Sequence, residues 1–83
     1  MAQRPVALIT GASAGLGEQF ATLFARDGFD VILTARNTAK LEAVAERLRI
    51  HQAKTYLISE DLSKPGAATK LFNAMKERGL SVN

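Results

Sequence analysis

The stretch Leu8 to Phe20, LITGASAGLGEQF, decides the fold of this chain. It begins as an apolar run, breaks into three glycines within seven residues, and resumes as an amphipathic pattern. A short apolar run predicts a buried strand, and the spacing after it predicts a helix. Glycines between the two permit positive φ and let the backbone approach a ligand closely. Free amides at the start of such a helix, together with the helix dipole, favour an anion such as a pyrophosphate.

Strand and helix patterns alternate along the whole chain. The strand patterns cover residues 5–10, 29–36 and 53–59, and a helix pattern follows each one. The first of them, PVALIT, is apolar enough to be buried on both faces of a sheet. Strands that alternate with helices form parallel sheets through right-handed crossovers. The sequence therefore predicts an α/β fold, half of a doubly wound (Rossmann) domain with three parallel strands, in which residues 1–83 form one partial domain.

The predicted helices carry recognisable end signals. We expect Gly28 to end the first helix and Asn37 to cap the second. Ser63 is expected to cap the third helix, with Pro65 in its first turn and Gly79 at its end. Each helix also has an apolar stripe that we expect to pack in the core. The stripes are Leu16, Phe20, Leu23 and Phe24; Leu41, Val44, Ala45 and Leu48; and Ala68, Leu71, Phe72 and Met75.

Composition argues against several classes of protein. The chain has 83 residues, no cysteine and one histidine, His51, so neither a disulfide framework nor a metal site is expected. No apolar run approaches the ~20 residues that span a bilayer. The net charge is +3, but the basic residues are interspersed with acids, which is typical of solvated helix faces. We therefore expect no metal, no membrane and no nucleic-acid partner, and a cytoplasmic location.

The glycine spacing identifies the loop more closely. No lysine follows the glycines, which disfavours a P-loop, and the spacing is T-G-x-x-x-G-x-G rather than G-x-G-x-x-G. TGASAGLG (10–17), between a first strand and a first helix, resembles the N-terminal cofactor motif of the short-chain dehydrogenase/reductase family. The resemblance implies that the cofactor is bound by Gly11, Ser13, Ala14, Gly15, Leu16 and Gly17. It also assigns Asp61 to the adenine amino group and Leu62 to a backbone contact with the adenine.

The end of the second strand bears on the choice of cofactor. In dinucleotide folds an acid at this position accepts hydrogen bonds from the ribose 2′-hydroxyl, whereas an arginine neutralises a 2′-phosphate. Here the strand ends in Ala35-Arg36, and Asp30 lies at the opposite end of the strand. The charges favour NADP(H) over NAD, with Ser13 and Arg36 near the phosphate, as in the NADP-preferring members that this chain resembles.

The family's catalytic residues have no counterpart in this sequence. The resemblance implies a serine, a tyrosine and a lysine four residues after the tyrosine. Tyr56 is the one tyrosine, Glu60 is the fourth residue after it, and Tyr56 lies in a predicted strand, where packing is the expected role. We therefore predict no catalytic residue in the chain.

The resemblance also sets out what the chain would lack. It covers about the first third of a family member of ~250 residues, and Asn83 aligns just before the family's fourth strand. In the family's strand order 3-2-1-4 the first strand is central. Here the order would be 3-2-1 with VALIT (6–10) at an edge, and exposed edges pair with other chains. We therefore expect self-association through this edge, or marginal stability if the chain is monomeric.

Three functions fit these patterns. The first is the N-terminal cofactor-binding portion of an NADP(H)-dependent oxidoreductase, catalytically incomplete as this chain stands. The second is a stand-alone, non-catalytic module that binds an adenine nucleotide or assembles with a partner. The third is a remnant whose sheet edge mediates oligomerisation alone, which predicts no saturable binding of NADP+.

Overall fold

A computed structural model describes residues 4–12 and 15–82. Three strands and three helices alternate along the chain. The strands are β1 (Val6–Thr10), β2 (Asp30–Ala35) and β3 (Thr55–Ser59). The helices are α1 (Gly15–Arg26), α2 (Thr38–Leu48) and α3 (Ala67–Glu77), and a single 3-10 turn, Arg49–His51, follows α2.

The strands form one parallel sheet with β2 in the centre. Leu8 of β1 lies opposite Ile32, and Ile32 lies opposite Tyr56 of β3. The order β1-β2-β3 confirms the predicted α/β partial Rossmann fold with strand order 3-2-1. All six residues of β2 are buried, because helices cover both faces of the central strand.

The two faces of the sheet have separate cores. Val31 and Leu33 of β2 pack with α1 and α2, whereas Ile32 packs with α3. The alternation follows from the two-residue period of a strand. The buried α2 residues are Leu41, Val44 and Leu48, with Ala45 half-buried beside them, so the predicted stripe of this helix is confirmed.

The predicted helix ends are mostly confirmed. At the end of α1, Gly28 has φ +95°, and the Phe29 N–H donates to the Phe24 carbonyl at 2.9 Å. This is the Schellman arrangement, which favours glycine because of its left-handed conformation. Gly79, with φ +68°, ends α3 in the same way. Asn37 caps α2, since its side-chain oxygen accepts the Lys40 N–H at 3.1 Å.

The predicted start of α3 is wrong. Gly66, not Ser63, is the N-cap residue, and Pro65 precedes the helix. The Ser63 side chain is used elsewhere, because its hydroxyl donates to Oδ1 of Asp61 at 2.6 Å. The Ser63 N–H also donates to that oxygen, at 3.0 Å. The chain therefore makes an Asx turn at this point and begins the helix later.

The predicted stripe of α1 is also largely wrong. Leu16, Phe20 and Leu23 are 70%, 51% and 45% exposed, and the buried α1 residues are Ala21 and Ala25. The two alanines pack in the core against the sheet, and Leu16 and Phe20 lie on the side of the helix toward β1. No described strand (residues 4–12 and 15–82) pairs with the outer edge of β1, so this side of α1 stays uncovered.

Two further differences concern β1 and α3. Ala7 and Ile9 of β1 are buried, but Leu8 on the opposite face is only half-buried, so the predicted burial of this strand on both faces is wrong. On α3, Leu71 and Met75 are buried as expected, whereas Ala68 and Phe72 of the predicted stripe are exposed. The amphipathic period identified the helices, but it did not predict which apolar residues of each helix pack against the sheet and which stay exposed.

Asp30 has a structural role at the amino end of the sheet. Its Oδ1 forms an ion pair with Nε of Arg4 at 2.8 Å and accepts the Lys54 N–H at 2.9 Å. These contacts connect the segment before β1 to the segment before β3. In the described part of the chain, no helix has the length and apolarity that crossing a membrane requires.

Candidate functional site

A cleft of about 860 Å³ opens at the carboxyl ends of the strands. Ligands of open parallel sheets bind at this edge. Four segments line the cleft: the turn after β1, the end of β2, the start of α2, and the residues after β3. The lining residues are Gly11, Thr34, Ala35, Arg36, Asn37, Thr38, Lys40, Glu60, Asp61 and Leu62.

The turn after β1 is closely packed at one of its three glycines and has free space beside the other two. A Cβ on Gly17 would lie 2.7 Å from the carbonyl carbon of Gly11 and 3.0 Å from Cα of Ala12, so only glycine fits at this position. Gly11 has φ +64°, and a Cβ on Gly11 or Gly15 would have no neighbour within 4 Å. The Ala12 N–H donates to the Thr34 carbonyl at 3.1 Å and ties the turn to β2. The turn therefore has a fixed base and leaves free space for a ligand.

The other residues predicted for this loop either do not line the cleft or lie outside the described residues. Ser13 and Ala14 lie outside the described residues. Gly15, Leu16 and Gly17 are not among the residues of the cleft. Leu16 and Gly17 line a separate apolar groove of about 430 Å³ between α1 and β1, together with Ile9, Phe20 and Phe24.

The junction between β2 and α2 supplies positive charge to the cleft. Arg36 follows the last residue of β2, and Lys40 lies in the first turn of α2. The carbonyl of Arg36 accepts the Ser59 hydroxyl at 3.0 Å, which holds the junction against the end of β3. Among residues 4–12 and 15–82, neither cation belongs to an ion pair; the pairs there use Arg4, Arg47 and Arg49. Both cationic side chains are thus available to an anion.

The residues after β3 form another part of the cleft wall. Hydrogen bonds from the Ser63 hydroxyl and then from its backbone N–H lower the pKa of Asp61, with a smaller contribution from the charge of Arg36. Asp61 is therefore a carboxylate at neutral pH. Both hydrogen bonds use its Oδ1, so Oδ2 remains as an acceptor. Leu62 is 40% exposed beside it and offers an apolar surface.

The cleft contains residues that the sequence interpretation did not identify. Lys40 is one, and its signal was present in the sequence: a lysine four residues after the arginine that ends a strand. Thr34 is another, because its hydroxyl is buried and has no hydrogen-bond partner in the described part of the chain. Most buried polar groups in proteins have a hydrogen-bond partner, so this hydroxyl is an exception within the described residues. Nothing in the local sequence distinguishes Thr34 from an ordinary strand residue.

Tyr56 lies away from the cleft. It is half-buried in β3 and packs against the core of Ile32, Ile58, Leu71 and Met75. It also lines a hollow near Arg4 and Asp30, at the amino end of the sheet. The predicted packing role of Tyr56 is confirmed.

Comparison with known proteins agrees with this geometry. Residues 5–83 match the family model for short chain dehydrogenase. An uncharacterized oxidoreductase of Mycobacterium tuberculosis is 38% identical over 66 residues, covering 80% of this chain and 25% of that protein.

Solved structures resemble the fold closely. An alcohol dehydrogenase from the archaeon Thermococcus sibiricus, complexed with 5-hydroxy-NADP, has a TM-score of 0.88 and 34% identity, over 98% of this chain and 35% of that one. A short-chain dehydrogenase from Sphingobium yanoikuyae, in complex with NADPH, has a TM-score of 0.79 and 38% identity, over 88% and 29%. The chain thus spans about a quarter to a third of the length of these relatives. With its glycine turn, its parallel sheet and a family match over nearly its whole length, the chain belongs to the short-chain dehydrogenase family.

Proposed function

We propose that this chain is the N-terminal cofactor-binding portion of an NADP(H)-dependent short-chain oxidoreductase. The observation that carries the proposal is the cleft itself. A glycine turn with open space lies beside two cations that form no ion pair in the described part of the chain, and no acid follows β2 between Thr34 and Lys40. An acid there would instead select the 2′-hydroxyl of NAD.

The glycine turn is proposed to hold the cofactor pyrophosphate. Gly17 gives the turn its close approach to α1, and Gly11 and Gly15 leave room for the ligand. Free amides at the start of α1 would donate to the phosphate oxygens. We assign Ser13 and Ala14 to the same subsite from the family motif alone, and Leu16 to its edge.

Arg36 is proposed to bind the 2′-phosphate. Its guanidinium offers paired donors in a planar fork, which matches phosphate oxygens. Asp61 would accept a hydrogen bond from the adenine amino group through Oδ2, and Leu62 would contact the adenine through its backbone. The two solved relatives named above are complexed with 5-hydroxy-NADP and NADPH, which supports the choice of a 2′-phosphorylated cofactor.

The residues of the cleft fit such a cofactor but do not supply its chemistry. A nicotinamide dinucleotide provides hydride transfer when bound. This chain contributes the open glycine turn and two cations, Arg36 and Lys40, which bind and orient the cofactor. Its one tyrosine, Tyr56, packs in the sheet, so no proton donor for a carbonyl is assigned. We therefore propose that residues 1–83 form one partial domain that binds cofactor without catalysing hydride transfer.

Calorimetric titration with NADP+ and NAD+ tests this function. We expect micromolar to millimolar dissociation constants for NADP+, about 4–8 kcal/mol of binding free energy, and weaker binding of NAD+. Arg36→Ala should weaken NADP+ much more than NAD+. An equal loss for both cofactors would refute the phosphate role of Arg36, and absence of saturable NADP+ binding would refute the cofactor role of the chain.

A second proposal concerns the edge of β1. The apolar groove beside it and the exposed side chains of Leu16 and Phe20 favour self-association of the 83-residue chain. Sedimentation should detect dimers or larger species, and Phe20→Gln should reduce them. Ile50→Gln is a matched control, because Ile50 is 82% exposed on the 3-10 turn, away from this groove. A monodisperse monomer of high thermal stability would contradict the proposal.

A cytoplasmic location, suggested by the absence of cysteine, remains a prediction from the sequence.

A further inference from the structure

Lys40 is the cation of the cleft to which no role has been assigned. It is exposed in the first turn of α2 and lines the same cleft as Arg36. Its own backbone N–H is already satisfied by the side chain of Asn37. The ammonium group makes no ion pair within the described ranges, 4–12 and 15–82.

The position of Lys40 is unfavourable for the helix alone. A positive charge in a first turn opposes the helix dipole, by about 0.3–1 kcal/mol at exposed sites. The first turn of α2 contains no acidic residue that would offset it. By contrast, the first turn of α1 carries Glu18. A ligand with negative charge at the start of α2 would reverse the effect of Lys40 from repulsion to attraction.

We propose that Lys40 is the second cation of the 2′-phosphate subsite and strengthens the preference for a 2′-phosphorylated nucleotide. This inference rests on the proposed function. Arg36 orients the phosphate through its planar fork, and Lys40 contributes a point charge on a flexible stem. Both cations line the same cleft, and neither forms an ion pair within residues 4–12 and 15–82.

A role of Lys40 in phosphate binding and a purely structural role predict different responses to substitution. Removing the charge of Lys40 should leave the melting temperature of the free chain unchanged or slightly higher, because the clash with the helix dipole is relieved. The same change should weaken a ligand with a 2′-phosphate about fivefold, the effect of one exposed charge on a dianion. A purely structural role for Lys40 would lower the melting temperature instead.

The experiment compares adenosine 2′,5′-bisphosphate with 5′-AMP, which differs only in lacking the 2′-phosphate. Calorimetry on the 83-residue chain should show that Lys40→Gln weakens the bisphosphate about fivefold and leaves 5′-AMP unchanged. Lys40→Arg, which keeps the charge, should restore binding. Lys70→Gln is the matched control, because Lys70 is also exposed near the start of a helix, α3, and does not line the cleft.

Three results would overturn the proposal, and they are distinguishable. If Lys40→Gln weakens both ligands equally, Lys40 contacts the shared part of the nucleotide. If Lys40→Gln weakens neither while Arg36→Ala removes the preference, Arg36 acts alone and the proposed function stands. If the unmodified chain binds neither ligand, the proposed function fails together with the role of Lys40.

Discussion

Two glycines of the same turn should respond in opposite ways to an added methyl group. A Cβ on Gly17 would lie 2.7 Å from the carbonyl carbon of Gly11 and closer still to its oxygen. A Cβ on Gly15 would have no neighbour within 4 Å. Gly17→Ala therefore tests the packing of the turn, and Gly15→Ala tests the open space in front of it.

The magnitude for Gly17→Ala follows from the atoms that obstruct it. They belong to the backbone, so the turn itself must shift, which places the penalty near the upper end of the usual 1–3 kcal/mol for overpacking. Replacing a helical glycine by alanine returns up to about 1 kcal/mol. The net loss of about 2 kcal/mol corresponds to about 8–16 °C in melting temperature for a domain of this size.

Gly15→Ala should keep or slightly raise the melting temperature and still weaken NADP+ at least tenfold, because its methyl group occupies the space proposed for the pyrophosphate. Thermal unfolding and calorimetric titration of both variants give the comparison. Unchanged stability of Gly17→Ala would refute the packing argument. Unchanged NADP+ affinity of Gly15→Ala would refute the proposed position of the pyrophosphate.

Further substitutions test the frame of the site. Asn37→Ala removes the cap of α2 and should lower stability by about 1 kcal/mol in urea unfolding, whereas Asn73→Ala, exposed within α3, should not. Asp30→Asn removes the charge from the contact with Arg4 but keeps an acceptor for the Lys54 N–H. We expect the free energy of unfolding to fall by about 1–2 kcal/mol. An unchanged free energy of unfolding would show that the ion pair does not stabilise the fold. Because the folded pKa of Asp61 is lowered from its ordinary 3.8, its contribution to stability is present above that value and lost as pH falls through the folded pKa. The stability difference between Asp61→Asn and the unmodified chain should thus be constant from pH 5 to 8 and shrink in acid.

Local signals in the sequence predicted much of the fold. The apolar run of β2 needs little context, because a strand covered on both faces reads as continuous hydrophobicity. Gly28 and Gly79 end their helices through a backbone conformation that favours glycine. Asn37 caps α2 through its own side chain, only three residues from its partner. Each of these features is decided within a few residues.

The structure differs from the sequence-based prediction at residues whose burial or role depends on tertiary contacts. Leu16 and Phe20 have the period of a core stripe, but burial also requires a neighbouring element, and none covers them among residues 4–12 and 15–82. Serine is a favourable N-cap residue, but the Ser63 hydroxyl donates to Asp61 instead, and α3 begins only at Ala67. The position of Lys40 in the cleft depends on how α2 packs against the end of β3. The sequence around Lys40 does not predict this packing.

The most direct test of the cofactor site is a titration of the isotope-labelled chain with NADP+, followed by two-dimensional NMR of the backbone amides. We predict saturable shifts at the cleft residues Gly11, Arg36 and Asp61 and at Gly15 in the adjoining turn, and smaller shifts with NAD+ at equal concentration. The amides of Phe20 and Phe24, farther along α1, should not move. Shifts confined to these two residues, or no shifts up to millimolar NADP+, would contradict the assignment of the cleft as a dinucleotide site.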